Sequence, residues 1–257
     1  MAEVIIVPDE RAGGRIAAAR IARLVTAKPN AVLGLATGSS PLSTWDALAA
    51  YGLDMSRVRG FALDEYIGLP DGHPQSYREV LRRTVVEPLG MDPSLVRVPG
   101  DDGGDLATAG ERYEAAIRAA GGIDLQVLGI GRTGHIGFNE PGSSLASLTR
   151  VKTLTEQTRR DNARFFASLD EVPRHCLTQG LGTILRARSL LLLAWGEAKA
   201  EAVAGAVEGP VTASLPASVI QLHPDVTVVV DEAAASRLRY ADYYRSAWEH
   251  RPDWARD

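Results

Sequence analysis

Residues 123–145 read IDLQVLGIGRTGHIGFNEPGSSL, and this stretch indicates both the fold and the position of a site. Its apolar first half has the composition of a buried strand. The glycines among residues 129–137 then allow tight turns and let a ligand approach the backbone closely. Three polar side chains, His135, Asn139 and Glu140, follow in the same loop, which predicts a site at the carboxyl end of the strand. The alternative is a glycine-rich connector that carries a surface histidine.

Short apolar segments alternate with amphipathic segments along the rest of the chain, which is typical of a parallel sheet covered by helices. The predicted strands are 4–7, 31–36, 58–63, 125–130, 190–195 and 226–230. The predicted helices are 9–26, 42–50, 76–87, 105–120, 156–167 and 197–207. Since neither a linker nor an internal repeat divides the chain, we predict one α/β domain over residues 1–257. Its sheet is expected to be doubly wound, mostly parallel and Rossmann-like, with a lid-like segment at about 141–185, where strand signals are fewer.

The composition argues against several classes of protein. Hydrophobic residues make up 45% of the 257 residues and charged residues 23%, which suits a folded core. A net charge of −4 argues against a nucleic-acid partner. The longest apolar run, residues 190–195, is too short to cross a membrane, and the first residues lack a signal-peptide pattern, so we expect a cytoplasmic protein. The single cysteine, Cys176, is expected to be a packed apolar group rather than a nucleophile.

A second segment, LATGSSP at residues 35–41, lies between a predicted strand and a predicted helix. Ser40 is expected to cap that helix, and Pro41 to be its first residue. The hydroxyl groups of Thr37 and Ser39 would then join free backbone N–H groups in an anion site. The segment lacks the spacing of a Walker loop or a dinucleotide-binding loop, and an ordinary capped turn is the alternative.

The acidic pair Asp64 and Glu65 ends another predicted strand. A buried carboxylate there would have a raised pKa and would be able to accept a proton near neutral pH, whereas helix caps or solvated acids are the alternative. Arg164 and Lys199 are the cations best suited to complete an anion pocket. The five histidines are dispersed, so no metal site is indicated, and no G-x-S-x-G segment supports a serine triad.

Together these segments resemble the glucosamine-6-phosphate deaminase family, the glucosamine/galactosamine-6-phosphate isomerases, which share a fold with 6-phosphogluconolactonases. The resemblance runs along nearly the whole chain through LATGSSPLSTWDAL, FALDEYIGLP, HPQSYREVL, GHIGFNEPGSSLAS, TRRDNARFF, LTQGLGTIL and QLHP. Lactonases of this fold typically have threonine after the histidine and lack the following F-N-E, so residues 136–140 favour a deaminase. The resemblance implies an enzyme of amino-sugar catabolism, of isomerase and hydrolase type, that converts D-glucosamine 6-phosphate to D-fructose 6-phosphate and ammonia.

The resemblance also implies roles for individual residues. Asp64 would take the C2 proton of the ring-opened amino sugar, and His135, supported by Glu140, would open the pyranose ring. Thr133 stands where many members have an aspartate that completes a relay with the histidine and the glutamate. Because threonine carries no charge, His135 is expected to depend more on Glu140. The residues implied to hold the substrate phosphate are Thr37, Gly38, Ser39, Arg164 and Lys199.

Regulation and assembly are implied in the same way. Ser143, Ser144, Arg150 and Lys152 match positions that bind the phosphate of an activator, N-acetylglucosamine 6-phosphate, in hexameric members, and a polar loop with a solvated strand is the alternative. We expect a homo-oligomer that binds a small sugar phosphate and needs neither a metal ion nor an organic cofactor, because the proton beside a carbonyl is acidic enough for a positioned carboxylate. A lactonase of the same fold and a sugar-phosphate-sensing protein without catalysis are the alternative functions, and the sequence leaves the gluco or galacto epimer open.

Overall fold

The computed structural model describes residues 3–252 and contains a large parallel sheet beside a small antiparallel one. The strands are β1 (Glu3–Val7), β2 (Val32–Leu35), β3 (Arg59–Ala62), β4 (Asp64–Tyr66), β5 (Val96–Arg97), β6 (Leu125–Gly129), β7 (Arg150–Thr153), β8 (His175–Thr178), β9 (Ser189–Ala194) and β10 (Val226–Asp231). The helices are α1 (Glu10–Ala27), α2 (Leu42–Ala49), α3 (Tyr77–Leu81), α4 (Glu87–Leu89), α5 (Leu106–Ala119), α6 (Glu156–Asn162), α7 (Leu181–Ile184), α8 (Ala200–Glu208) and α9 (Ala241–Glu249). A π-helical turn joins α3 to α4, and 3₁₀ turns lie at Pro93–Leu95, Ala163–Phe165, Leu169–Glu171, Glu197–Lys199 and Pro216–Leu222.

The large sheet has seven strands in the order β1-β10-β9-β6-β2-β3-β5, and its pairs are all parallel. From β2 the chain adds strands towards one edge, and from β6 it adds strands towards the other, so the direction reverses between β2 and β6. Right-handed crossovers in opposite directions place helices on both faces of the sheet. A ligand crevice is expected beyond the carboxyl ends of the strands at this reversal.

The predicted fold class, a doubly wound and mostly parallel sheet flanked by helices, is confirmed. The six predicted strands correspond to β1, β2, β3, β6, β9 and β10. Their residues are apolar almost throughout, as in Leu190–Ala194, because both faces of the sheet are buried. The two-residue strand β5 and the helix α9 were not predicted. Among residues 3–252, none of the helices has the length and apolar composition needed to cross a membrane.

Helix α1 shows how the local sequence produces this packing. Asp9 caps the helix, because its carboxylate accepts a hydrogen bond from the Ala12 N–H at 2.8 Å. The buried face of the helix includes Gly13, Ala17 and Ile21, which are spaced four residues apart. A Cβ atom on Gly13 would lie 2.2 Å from the Trp195 ring, so glycine is required where the helix meets the end of β9.

The second sheet, in the order β4-β8-β7, was not predicted. The chain leaves the large sheet after β3 and, one residue later, starts β4, which pairs antiparallel with β8. Asp64 lies opposite Thr178 in this pair, so it is held by a sheet rather than by a free loop. The segment predicted to be lid-like, residues 141–185, contains two strands of this sheet as well as α6 and α7. Of that segment, α6 and the two 3₁₀ turns after it lie between β7 and β8 in the chain.

Candidate active site

The loop after β2 carries the residues predicted to bind an anion. Gly38 has a positive φ of 84°, and no atom lies within 4 Å of the place where its Cβ would be, so the loop is open on that side. Helix α2 begins at Leu42 and directs its amino end, which favours negative charge, into this loop. The prediction that Ser40 caps the helix is wrong: Pro41 occupies the cap position, and no side chain caps it. The Ser40 carbonyl instead accepts a hydrogen bond from Trp195 Nε1 at 2.7 Å, which joins the loop to the end of β9.

Three cations lie close enough to interact with one another. Lys199 follows β9 and is partly buried. Burial is the main cause that lowers its pKa; the negative charge of Asp161 opposes this shift, and the positive charges of Arg164 and Arg132 add to it. The structure therefore brings together the two cations that the sequence indicated and a third, Arg132, that it did not. Like charges at this spacing repel one another, so a bound anion would stabilise all three.

Asp64 is a buried carboxylate without a hydrogen-bond partner. It is 6% exposed, and among residues 3–252 neither of its carboxylate oxygens receives a hydrogen bond. Burial, together with the negative charge of Glu65, raises its pKa to about 8. Gly137, in the loop after β6, approaches this group: a Cβ there would lie 3.5 Å from Asp64 Oδ2. The loop after β6 and the start of β4 thus meet at Asp64.

Glu65 has a different role from its neighbour. Its carboxylate accepts hydrogen bonds from the backbone N–H groups of Tyr66 at 2.8 Å, Tyr77 at 2.9 Å and Arg78 at 2.8 Å. It therefore holds the amino end of α3 against β4. The alternative interpretation of the acidic pair as helix caps is correct for Glu65 and wrong for Asp64.

His135 and Glu140 form a hydrogen-bonded pair in the loop after β6. His135 Nδ1 lies 3.1 Å from Glu140 Oε1 and 2.9 Å from Thr133 Oγ1, and Thr133 donates to Glu140 Oε2 at 2.9 Å. Burial alone would raise the pKa of Glu140, but hydrogen bonds from His135, Thr158 and Thr133 lower it to about 2. The carboxylate therefore stays charged and orients the imidazole through Nδ1. Nε2, which has no partner among residues 3–252, is left for a ligand.

Two neighbours of this pair are structural. A Cβ on Gly131 would lie 2.2 Å from His135 Nε2, so only glycine lets the ring lie against this backbone. Asn139 is fully buried, and its amide donates to the carbonyl groups of Ile136 at 2.9 Å and Gln179 at 2.8 Å. Asn139 thus braces the loop, and only His135 and Glu140 of the three polar residues in this motif come together.

A second group of residues around the site was not predicted. Thr158, on α6, donates a hydrogen bond to Glu140 Oε1. Asn162, one turn later, donates to the Tyr66 hydroxyl at 2.9 Å. Tyr66 belongs to an aromatic cluster with Tyr77, Phe138 and Phe166. These contacts join segments that are far apart in the chain, so neither periodicity nor spacing indicates them.

The residues implied to bind an activator lie at and next to the second sheet. Ser143 is buried, and its hydroxyl has no partner among residues 3–252, while Ser144 is exposed. Arg150 lies opposite Thr178 in the register, and Lys152 lies opposite Cys176, so both cations are on the sheet face that also carries Asp64. Burial lowers the pKa of Arg150. Cys176 is fully buried, in agreement with its predicted packing. In the part of the chain that the structure describes, no group of three or more His, Cys, Asp and Glu side chains is arranged to hold a metal ion.

The fold and the site define a class: doubly wound α/β proteins with a buried carboxylate beside a loop that carries a histidine–glutamate pair, and with a group of interacting cations. A family profile described as glucosamine-6-phosphate isomerases/6-phosphogluconolactonase matches residues 10–229. The chain belongs to this family.

Individual relatives are similar over nearly their whole length. The glucosamine-6-phosphate deaminase of Bifidobacterium longum (strain DJO10A) is 60% identical over 99% of each chain, and that of Streptomyces coelicolor is 58% identical over 98% of each. A solved structure described as a monomeric glucosamine-6-phosphate deaminase superposes with a TM-score of 0.88 at 42% identity, covering 92% of this chain and 100% of that one. A 6-phosphogluconolactonase from Thermotoga maritima, with a TM-score of 0.71 at 20% identity over 90% of this chain and 99% of that one, shares the fold alone.

Proposed function

We propose that the protein is an enzyme that converts D-glucosamine 6-phosphate and water to D-fructose 6-phosphate and ammonia. Relatives that cover nearly the whole chain at 58–60% identity carry the name glucosamine-6-phosphate deaminase. The observation that carries the proposal is the unpartnered Asp64 carboxylate, buried beside the His135 loop and raised in pKa to about 8. A base of this kind suits the removal of a carbon-bound proton.

The substrate phosphate would bind between the loop after β2 and the three cations. Thr37, Gly38 and Ser39 would offer hydroxyl and backbone N–H groups, and Lys199 and Arg164 would supply charge-assisted hydrogen bonds. This contact fixes one end of the sugar. The other end would then extend towards Asp64 and His135, because the loop after β2, Asp64, His135 and Lys199 follow the carboxyl ends of the neighbouring strands β2, β3, β6 and β9.

His135 would open the pyranose ring. Its Nδ1 is held by Glu140 and Thr133, so its free Nε2 would move a proton between the C1 hydroxyl group and the ring oxygen. The nearby carboxylate stabilises the imidazolium that forms during this transfer. Thr133 takes part through its hydroxyl, which bridges the imidazole and the carboxylate although it brings no charge of its own.

Asp64 would then act on the open-chain sugar. It removes the C2 proton, the electron pair moves into a C1–C2 double bond, and the C1 carbonyl oxygen takes up a proton to give the enol. Return of a proton to C1 leaves an imine at C2, and water releases ammonia from it to give the ketose. Because each step moves only protons and water, the proposal requires neither a metal ion nor an organic cofactor.

One assay separates this function from its alternatives. Purified protein is incubated with glucosamine 6-phosphate, and fructose 6-phosphate and ammonia are measured in parallel, with 6-phosphogluconolactone hydrolysis measured in a second reaction. We expect equal amounts of ammonia and ketose and no lactone hydrolysis above the spontaneous rate. Asp64→Asn is the matched control and should bind the sugar phosphate but release no ammonia. Binding without ammonia release by the unaltered protein would instead identify a sensor, and galactosamine 6-phosphate tests the epimer.

Assembly and regulation stay predictions from the resemblance. We propose a homo-oligomer in which Ser143, Ser144, Arg150 and Lys152 bind N-acetylglucosamine 6-phosphate as an activator, although one solved relative is described as monomeric. Sedimentation velocity with and without this sugar phosphate, together with the shape of the substrate saturation curve, tests both points. A monomer with a hyperbolic curve that the activator leaves unchanged would contradict them. The cytoplasmic location likewise stays a prediction.

A further inference from the structure

Helix α6 reaches the histidine–glutamate pair through one hydroxyl group. Thr158 is 5% exposed and donates to Glu140 Oε1, the same oxygen that lies 3.1 Å from His135 Nδ1. The other carboxylate oxygen, Oε2, accepts from Thr133. Glu140 is therefore held from two directions: Thr133 belongs to its own loop, whereas Thr158 belongs to a helix outside both sheets.

The direction of the Thr158 hydrogen bond is fixed by its neighbours. Thr155 caps α6, because its hydroxyl oxygen accepts from the Thr158 N–H at 3.1 Å. The Thr155 hydroxyl donates in turn to Thr158 Oγ1 at 3.0 Å. Since the ionised carboxylate of Glu140 has no proton to give, the Thr158 proton points at Glu140. The two hydrogen bonds, from the Thr155 hydroxyl to Thr158 and from the Thr158 hydroxyl to Glu140, are therefore donated in one direction only.

The same helix contacts the rest of the site. Asn162, one turn after Thr158, donates to the Tyr66 hydroxyl two residues beyond Asp64. Arg164 follows directly in the next turn and lies close enough to Lys199 to lower its pKa. One short helix therefore meets the acid–base pair, the strand that begins with the base and the cations implied to bind phosphate.

We propose that Thr158 is a positioning residue for ring opening, through which the seating of α6 sets the orientation of Glu140 and thereby of His135. This inference rests on the proposed deaminase function. When the substrate phosphate holds Arg164, the helix is held as well, and the Thr158 hydroxyl then keeps the carboxylate turned towards the imidazole. Binding of phosphate at one end of the sugar and readiness for proton transfer at the other are thus joined by α6 and the turn that follows it.

The test compares Thr158→Val with Thr158→Ser, because valine keeps the shape and loses the hydroxyl, whereas serine keeps the donor. Loss of a charge-assisted hydrogen bond should lower kcat on glucosamine 6-phosphate by about 10- to 100-fold. KM should change by less than about threefold, since Thr158 is not among the groups placed at the phosphate. Serine should restore kcat to within about threefold of the unaltered protein. Arg160→Gln, a change at an exposed position of the same helix, is the control and should have no effect.

A second substrate separates positioning from a general loss of structure. An analogue of the open-chain sugar that lacks both the 4- and the 5-hydroxyl groups can close neither a furanose nor a pyranose ring, so it bypasses His135 and still needs Asp64. Thr158→Val should turn over this analogue like the unaltered protein. Equal losses on both substrates, an unchanged kcat in the valine variant, or no recovery with serine would each overturn the inference while the deaminase function stands. If the unaltered protein releases no ammonia, the proposed function fails, and this inference fails with it.

Discussion

Replacing Asp64 by asparagine should make the protein more stable while it removes turnover. The folded state raises the pKa of Asp64 from 3.8 to about 8, chiefly by burial. A group whose pKa is raised binds its proton more tightly in the folded state. Its contribution to the free energy of unfolding is therefore complete below the pKa of the unfolded state and is lost as the pH rises through the pKa of the folded state. Asparagine has nearly the same size and does not ionise, so it escapes this loss.

The size of the effect follows from the two pKa values. At about 1.4 kcal/mol for each unit, the buried carboxyl group costs on the order of 2 kcal/mol at about pH 5, 4 kcal/mol at about pH 7 and 6 kcal/mol at about pH 9. Any fixed difference in packing between the two side chains is the same at each pH and cancels from the trend. The stability difference should therefore grow by about 4 kcal/mol between about pH 5 and pH 9.

Urea unfolding of both proteins at these three pH values measures the difference. Asp54→Asn serves as the control, because the Ser56 hydroxyl and backbone N–H lower the pKa of Asp54, so that variant should lose stability as the pH rises above the acid range. An Asp64→Asn difference that does not change with pH would refute the assignment of Asp64 as a desolvated base. Turnover in the same variant should fall by about 10²- to 10⁴-fold, because the amide takes no proton.

Three further predictions concern the other parts of the site. Lys199→Ala and Arg164→Ala should each raise KM by about 10- to 100-fold, since each leaves the phosphate short of a charged partner. Lys199→Ala should change kcat little, whereas Arg164→Ala should also lower kcat, because Arg164 is the contact through which the phosphate seats α6. Glu140→Gln should lower kcat more than Thr133→Val, by roughly tenfold or more, because the first removes the charge beside His135 and the second removes only a neutral donor. Binding of 2-amino-2-deoxyglucitol 6-phosphate at about pH 7 should release up to about 0.9 proton more than binding of glucitol 6-phosphate, because its ammonium group favours the ionised form of Asp64.

Each of these has a measurement that would contradict it. For the cations it is an unchanged KM for the phosphorylated substrate, with glucosamine itself as the control that should not respond. The prediction for Glu140 and Thr133 would be contradicted if Glu140→Gln left kcat nearly unchanged while Thr133→Val lowered it strongly. For proton release, calorimetry in buffers of different ionisation enthalpy should show the extra proton, and the reasoning fails if Asp64→Asn retains it.

The sequence was sufficient for six of the seven strands of the large sheet because those strands are largely buried on both faces. Such strands are continuous apolar runs, as in Leu190–Ala194, whatever lies next to them. The second sheet is different, since β4 reads Asp-Glu-Tyr and is a strand only because β8 pairs with it. The prediction for the cap of α2 was wrong because Pro41 is at the cap position itself, one residue before the first helical position, where proline is usually found.

The site divides in the same way between local and distant contacts. Residues 133–140 lie in one loop, so their convergence could be expected from glycine spacing and residue type. Arg132 and Thr158 could not be predicted from spacing, because each interacts with a distant segment of the chain. Arg132 lies near Lys199, and Thr158 donates to Glu140. What spacing does not show is which side chains the fold turns inwards.

The distribution of charge in the site explains why an amino sugar phosphate fits it better than a lactone phosphate does. Asp64 is a buried acid that accepts no hydrogen bond among residues 3–252. At the other end, the positive charges of Lys199, Arg164 and Arg132 interact with one another and exceed the single negative charge of Asp161 that acts on Lys199. A phosphate satisfies the cations in either ligand. Only the amino sugar adds an ammonium group at C2, next to the carbon whose proton Asp64 would remove. Binding would therefore ionise the carboxyl group at the point where a base is required, and the energy that the fold loses by burying Asp64 is recovered only with an aminated substrate.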